Sequence, residues 1–300
     1  MEDWKGSVGR RVHGGAGMKE VFTMWRHTQL VVLVALSAAI YAAVLIPFKG
    51  FAIIPGYVEL RPANAFPIVF GLFFGPAGAW GAAIGNTIGD FVGGTLSLGS
   101  VGGFVGNFFL ALLPYKMWSV FFRSDENMEE NVDSGKKFGV YILRVSVASI
   151  VCSAMIAWWS DLLGLFPFYL FFILIFFNNA IMAGILGPIL LLALYPRVKR
   201  WNLLWTEIME PEEVSFSRLK RTGAILVGVG AIGAGVVGLI LSPPPIMGLA
   251  EGTPGSIGVS LGLIPFLIAI VVGSFMLGGR EVVEEVHEEM MSAEGEEAEA

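Results

Sequence analysis

Six polar residues sit in or beside stretches that are otherwise apolar enough to cross a bilayer: Asn86, Asp90, Asn107, Arg144, Asn178 and Asn179. A polar group in hydrocarbon is costly unless something satisfies it, so each needs a neighbouring helix or a bound solute. Asn86 and Asp90 are four residues apart and share one face of a helix. Asn178 and Asn179 adjoin near the middle of another helix, which turns at least one of them inward. Hydrogen bonding between helices accounts for each Asn as well as ligand contact does. Arg144 lies eight residues past Lys136, a spacing that predicts a side chain snorkelling to the nearer membrane surface.

A second polar group falls on one short loop, YVELRPANAFP, residues 57–67. Glu59 and Arg61 carry opposite charges, Asn64 adds donors and an acceptor, and Pro62 and Pro67 stiffen the chain. A local ion pair on a surface loop is one reading, and a lid over a polar solute is the other. Trp158, Trp159 and Asp161 end a predicted helix on the same side. Aromatics at that depth commonly anchor a helix at the interface; stacking on a ligand is the alternative.

Missing chemistry narrows the choice. There is no G-x-x-x-x-G-K-[ST] phosphate loop, so the chain does not burn ATP itself. His13, His27 and His287 lie in hydrophilic ends, and Cys152 is the single cysteine. That leaves no metal-ligand set and no base for a hydrolase embedded in the membrane. No enzymatic activity, metal, cofactor or nucleic-acid partner is expected.

Positioning the polar residues takes a membrane scaffold. Of 300 residues 55% are hydrophobic and 15% charged, with a mean hydropathy of +0.72, outside the range of soluble domains. The net charge of −6 misleads. Residues 281–300 hold nine Glu and no Lys or Arg, and the rest of the chain sets 19 basic residues against 16 acidic ones. This end reads as a solvated acidic tail.

Thr28 to Phe48 is an uncharged first span. From Pro62 to Tyr115 the hydropathy permits two long crossings or three compact ones, and charge decides between them. Lys and Arg concentrate on cytoplasmic loops; here five fall in 1–27, four in 116–137 and six in 196–221. An even number of crossings must separate segments on one side, which selects three compact helices, broken at Gly75–Pro76 and at Gly93–Gly103. The second helix, about 65–75, is too short to span unaided, so protein must enclose one of its ends. Helices over Phe138–Ser160, Phe168–Tyr195, Gly223–Leu241 and Ile257–Gly278 complete the pattern.

The expectation is an all-α membrane protein crossing about eight times, with both termini cytoplasmic. It divides into a tail (1–27), a six-helix core (28–195), a charged linker (196–221), a two-helix hairpin (222–279) and the acidic tail (280–300). Two ladders of small residues mark helix faces. The first helix carries Ala35, Ala39 and Ala43, and the third carries Gly81, Gly85, Gly89 and Gly93. Four-residue spacing drifts only about 40° per step, and small faces let helices approach closely in lipid. Packing inside the protein is the first reading of the glycines. An external helical partner accounts for the alanines equally well.

Over residues 58–94, VELRPANAFPIVFGLFFGPAGAWGAAIGNTIGDFVGG, the chain resembles the substrate-binding S components of energy-coupling factor (ECF) transporters, in particular the queuosine-precursor branch. The matching features are the A-x-x-x-A first helix, E-x-R-P before a short proline-started helix, and F-G-P-x-x-A followed by G-N-x-I-G-D. The resemblance covers about residues 28–195 and leaves the last two helices and the tail outside it. It implies a subunit in the plasma membrane of a prokaryote that captures a vitamin-like or nucleobase-like nutrient from outside. A transmembrane T component and two cytoplasmic ATPases would then drive transport. It further implies that Ala35, Ala39 and Ala43 dock on the T component and that Glu59, Arg61 and Asn64 are lid or ligand contacts. Asp90, Asn107, Trp158 and Asn178 are pocket residues placed by topology. A self-sufficient secondary transporter or channel, with Asp90 and Arg144 as its working charges, stays open as the alternative.

Overall fold

The computed structural model describes residues 17–49, 52–54, 58–59, 61–121, 131–243, 253–279, 283–284, 286–288 and 290–292. The far N-terminus and most of the acidic tail lie outside these. The helices are α1 (Lys19–Thr23), α2 (Thr28–Phe48), α3 (Ala65–Phe74), α4 (Pro76–Val92), α5 (Gly99–Lys116) and α6 (Trp118–Phe121). They continue with α7 (Gly135–Leu162), α8 (Phe168–Arg200), α9 (Trp205–Ile208), α10 (Lys220–Leu241), α11 (Ile257–Gly262) and α12 (Ile264–Met276). One small antiparallel pair, β1 (Ala52–Ile54) and β2 (Val58–Glu59), follows α2, with Ala52 opposite Glu59. The described protein is thus almost entirely helical. Five segments are long and apolar enough to cross a membrane: Thr28–Phe48, Gly135–Leu162, Phe168–Ile208, Lys220–Leu241 and Ile257–Met276.

The crowded region from Pro62 to Tyr115 forms three short helices packed among the long ones. At 1.5 Å per residue α3 rises only about 15 Å, half of a bilayer's hydrocarbon thickness. Nine of its ten residues are buried, so protein surrounds both of its ends. Gly75 ends it in a left-handed conformation, φ +52°, which glycine adopts without strain. Pro76 then starts α4 at the first helical position, where its missing N–H costs nothing.

The glycines of α4 face α2. A Cβ on Gly81 would lie 2.5 Å from the Ser37 Cβ, one on Gly85 2.8 Å from the Ala38 carbonyl oxygen, and one on Gly89 2.5 Å from Leu45 Cδ2. Gly93 meets the Lys49 side chain in the same way. The buried face of α2 is therefore Ser37, Ala38, Tyr41, Ala42 and Leu45. Its opposite face, with Ala35, Ala39 and Ala43, is exposed.

The C-terminal hairpin is not a loose appendage. Gly223 of α10 and Gly273 of α12 bring those helices into backbone contact, and Gly235 and Gly238 of α10 receive the rings of Phe172 and Phe168 from α8. Asp161, fully buried at the end of α7, ties the two units together. Its carboxylate accepts from the Phe168 backbone N–H at 3.0 Å and the Ser256 N–H at 3.2 Å, and its carbonyl accepts from Gly255 N–H at 2.8 Å. Replacing it by Ala strands the buried Phe168 donor at about 1–3 kcal/mol and the half-buried Ser256 donor at less. Asp161→Ala is expected to lower the thermal unfolding midpoint in detergent substantially, and Asp161→Asn, which keeps one acceptor, by less.

Residues 196–221 also belong to the packed structure. Trp205, Met209 and Val214 are buried, with the Trp205 ring against Gly75 and 5.2 Å from the Tyr115 ring. Beside them lies an ion pair with no exposed surface, Glu20 to Lys116 at 2.6 Å. Glu20 also accepts from the Ser215 N–H at 3.1 Å, and Lys116 donates to the Leu277 carbonyl at 2.8 Å. Four segments distant in sequence meet at this end of the bundle. Arg144 does not snorkel. It is 1% exposed, donates to the Pro114 carbonyl at 2.7 Å and lies 4.2 Å over the Trp118 ring. Pro114 sits in the last turn of α5, where carbonyls have no partner within the helix and stay available to a neighbour.

Candidate functional site

At the other end of the bundle, four helices turn polar residues toward one another by regular spacing. α7 contributes Cys152, Ile156 and Ser160, each four residues on, and α8 contributes Phe171, Ile175, Asn178 and Asn179 along one stripe. Asn86 and Asp90 come from α4, and Gly103 and Asn107 from α5. Arg61 and Asn64, entering α3, complete the wall. Together they line a cavity of about 110 Å³. Gly103 lets α5 close on α4, for a Cβ there would lie 2.7 Å from the Asn86 amide nitrogen.

The polar atoms form two connected groups. In the first, Asn64 Nδ2 donates to Asn179 Oδ1 at 2.6 Å, and the Tyr41 hydroxyl lies 3.1 Å from Asn64 Oδ1 and 3.0 Å from Asn107 Oδ1. A hydroxyl has one proton and serves one of those oxygens at a time. Asn107 Nδ2 donates back to the Gly103 carbonyl at 2.8 Å. In the second group, the Arg61 N–H donates to Asn178 Oδ1 at 3.2 Å and its guanidinium reaches Asn86 Oδ1 at 3.4 Å. Asn86 Nδ2 passes a bond to Asp90 at 3.3 Å, and Asp90 pairs with Lys49 Nζ at 3.2 Å. Lys49 also donates to Thr95 Oγ1 at 2.7 Å.

Of the residues singled out from sequence, Arg61, Asn64, Asp90, Asn107 and Asn178 meet at this cavity. Glu59 lies on β2, and its side chain is outside the described residues. Trp158 does not reach the cavity. Two positions before Ser160 it points about 200° away around α7, donates to the Ser260 carbonyl at 3.0 Å and lines an apolar cleft against α12.

Sequence reasoning missed Tyr41, Lys49, Thr95 and Ser160. Tyr41 and Lys49 had a readable signal, since both lie on the α2 face that the glycine ladder of α4 must meet. Ser160 follows Cys152 at twice the four-residue spacing, a pattern too common to single out.

A charged pair and a set of amides, enclosed at one end of a helical bundle, can bind a small polar solute through many directed hydrogen bonds. They offer no nucleophile–base pair. No curated protein and no solved structure matches the chain. The family model described as QueT transporter matches residues 31–196, more than half of the chain and every wall of this cavity. The chain belongs to the QueT transporter family, the queuosine-precursor transporters of the ECF S-component type.

Proposed function

We propose that the chain is the substrate-capture subunit of an ECF-type importer and binds a small vitamin-like or nucleobase-like nutrient from outside. The observation that carries this reading is the amide-lined cavity between α4, α5, α7 and α8, within the part of the chain that the family model matches. Arg61, Asn64, Asp90, Asn107 and Asn178 are its solute contacts. α3, α4 and α5 cross the membrane alongside the five longer spans, giving eight crossings, a six-helix core and a hairpin, in the plasma membrane of a prokaryote. Both termini are cytoplasmic in this arrangement. The cavity then opens outward, and the junction of Glu20 with Lys116 faces the cytoplasm.

Energy comes from outside the chain. The exposed face bearing Ala35, Ala39 and Ala43 docks a transmembrane T component, which two cytoplasmic ATPases drive. Asp90 and Arg144, the charges a self-sufficient transporter would use, engage different partners, Lys49 and the Pro114–Trp118 turn. The test is affinity isolation in a mild detergent with the neighbouring gene products present. Co-purification of a T component and an ATPase pair is expected. A chain that isolates alone, and that takes up solute in liposomes on an ion gradient without ATP, overturns the proposal.

A further inference from the structure

Two polar side chains on the cavity wall are buried and incompletely paired. Ser160 is 3% exposed and its Oγ has no hydrogen-bond partner; Asn179 is 2% exposed and its Nδ2 has none. A buried helical serine ordinarily donates to the carbonyl four residues back, as Ser153 and Ser274 do here. Ser160 does not. The Cys152 thiol lies beside Asn179 as a weak sulfur partner, and Nδ2 has no regular hydrogen bond.

Turning the amides does not remove the deficit. With the Asn64–Asn179 bond as placed, Asn179 keeps an unpaired N–H. With both amides reversed, Asn179 donates to Asn64 and turns its oxygen toward the Cys152 thiol, a weak donor. In either orientation the second amide atom of Asn179 has only the weak Cys152 sulfur beside it. Leaving such groups unmade in an apolar surrounding costs about 1–3 kcal/mol each, and a solute that supplies the missing partners recovers that cost.

We infer that Ser160 and Asn179 together form a subsite that reads an uncharged hydrogen-bonding edge of the solute. Both side chains are themselves uncharged, so the edge they read is matched by hydrogen bonds and not by an ion pair. The neighbours along the α7 stripe are Cys152 and Ile156, while Lys49 and Asp90 neutralise one another. A neutral carbonyl with an adjacent N–H satisfies both residues in either amide orientation. Arg61 also lines the cavity, with its guanidinium held at Asn86 Oδ1. The inference rests on reading this cavity as the solute site.

Two probe pairs test it by equilibrium dialysis with the purified full chain. Hypoxanthine carries a carbonyl–NH edge that purine lacks, and nicotinamide carries an amide that pyridine lacks. In at least one pair the edge-bearing member is expected to bind about tenfold or more tightly than its partner. Ser160→Ala and Asn179→Ala should each erase most of that difference. Ser160→Ala removes a buried hydroxyl that is unpaired in the solute-free protein, so its unfolding midpoint without probe should hold or rise, whereas a merely structural role would lower it.

Equal binding within both pairs, or no binding by either, overturns the inference. Discrimination that survives in one variant removes that residue from the subsite. The importer reading is judged separately by co-purification. Edge-selective binding without T and ATPase partners keeps the subsite and removes the importer. Partners without edge-selective binding do the reverse.

Discussion

Glu20→Leu is expected to destabilise the protein by about 3–5 kcal/mol, the usual cost of leaving one member of a buried pair without its partner. Lys116 has no exposed side-chain surface. With Glu20 gone its ammonium keeps the Leu277 carbonyl, a neutral acceptor in place of a full negative charge. The Ser215 N–H loses its acceptor at the same stroke. The unfolding midpoint of the detergent-solubilised variant, followed by tryptophan fluorescence, should fall well below that of the parent. Adding Lys116→Met removes the orphaned charge and supplies an apolar side chain of similar length. The double variant should therefore recover most of the loss, since an ion pair replaced as a unit is often nearly neutral. A double variant as unstable as Glu20→Leu alone shows that Ser215, and not the charge, carries the effect.

Gly71→Ala is expected to be comparably damaging for a different reason. A Cβ on Gly71 would overlap the Ala111 carbonyl oxygen, with the carbonyl carbon at 2.8 Å and the Ala111 Cα at 3.1 Å. All three are backbone atoms of α5, so no rotamer change relieves the overlap and the helices must part. Forced overpacking of a well-packed interior costs typically 1–3 kcal/mol. With backbone on the far side, about 3 kcal/mol is the expected loss, and α5 carries Asn107 out of register with Tyr41 as it shifts. Gly139→Ala is the matched control. Nothing lies within 4 Å of a Cβ there, and alanine is the better helix former by roughly 1 kcal/mol. Its unfolding midpoint should hold or rise. If both variants unfold alike, close approach of α3 to α5 is not what Gly71 provides.

The local features of this fold were legible because they obey local rules. Gly75 before Pro76 broke α3 from α4, and the four-residue glycine ladder named the α4 face that meets α2. The parity of Lys and Arg clusters called for three compact helices before α6, and α3, α4 and α5 occupy that stretch. The break between α11 and α12 at Leu263 carried no comparable mark beyond Pro265, a residue that helices accept in their first turn. In the cavity, residues recognised by type alone, the asparagines and Asp90, came together. The two that depend on where a neighbouring helix sits, Tyr41 and Lys49, were missed. Trp158 and Arg144 fail for one shared reason. Sequence places a residue at a depth, but only packing chooses which way around the helix it looks.

The pairing of Glu20 with Lys116, Ser215 and Leu277 has a consequence for synthesis of the protein. Glu20 leaves the ribosome early, and the Leu277 carbonyl that shares its lysine follows 257 residues later. At about 5–20 residues per second, that interval is roughly 13–50 s. Throughout it Glu20 cannot be fully enclosed, because the last of the groups that will surround its ion pair does not yet exist. The earliest part of the chain is therefore among the last to be locked. An mRNA truncated before the final helix yields a nascent protein in which α2 is already inserted and Glu20 still reaches water, a difference that protease access to residues near Glu20 can read.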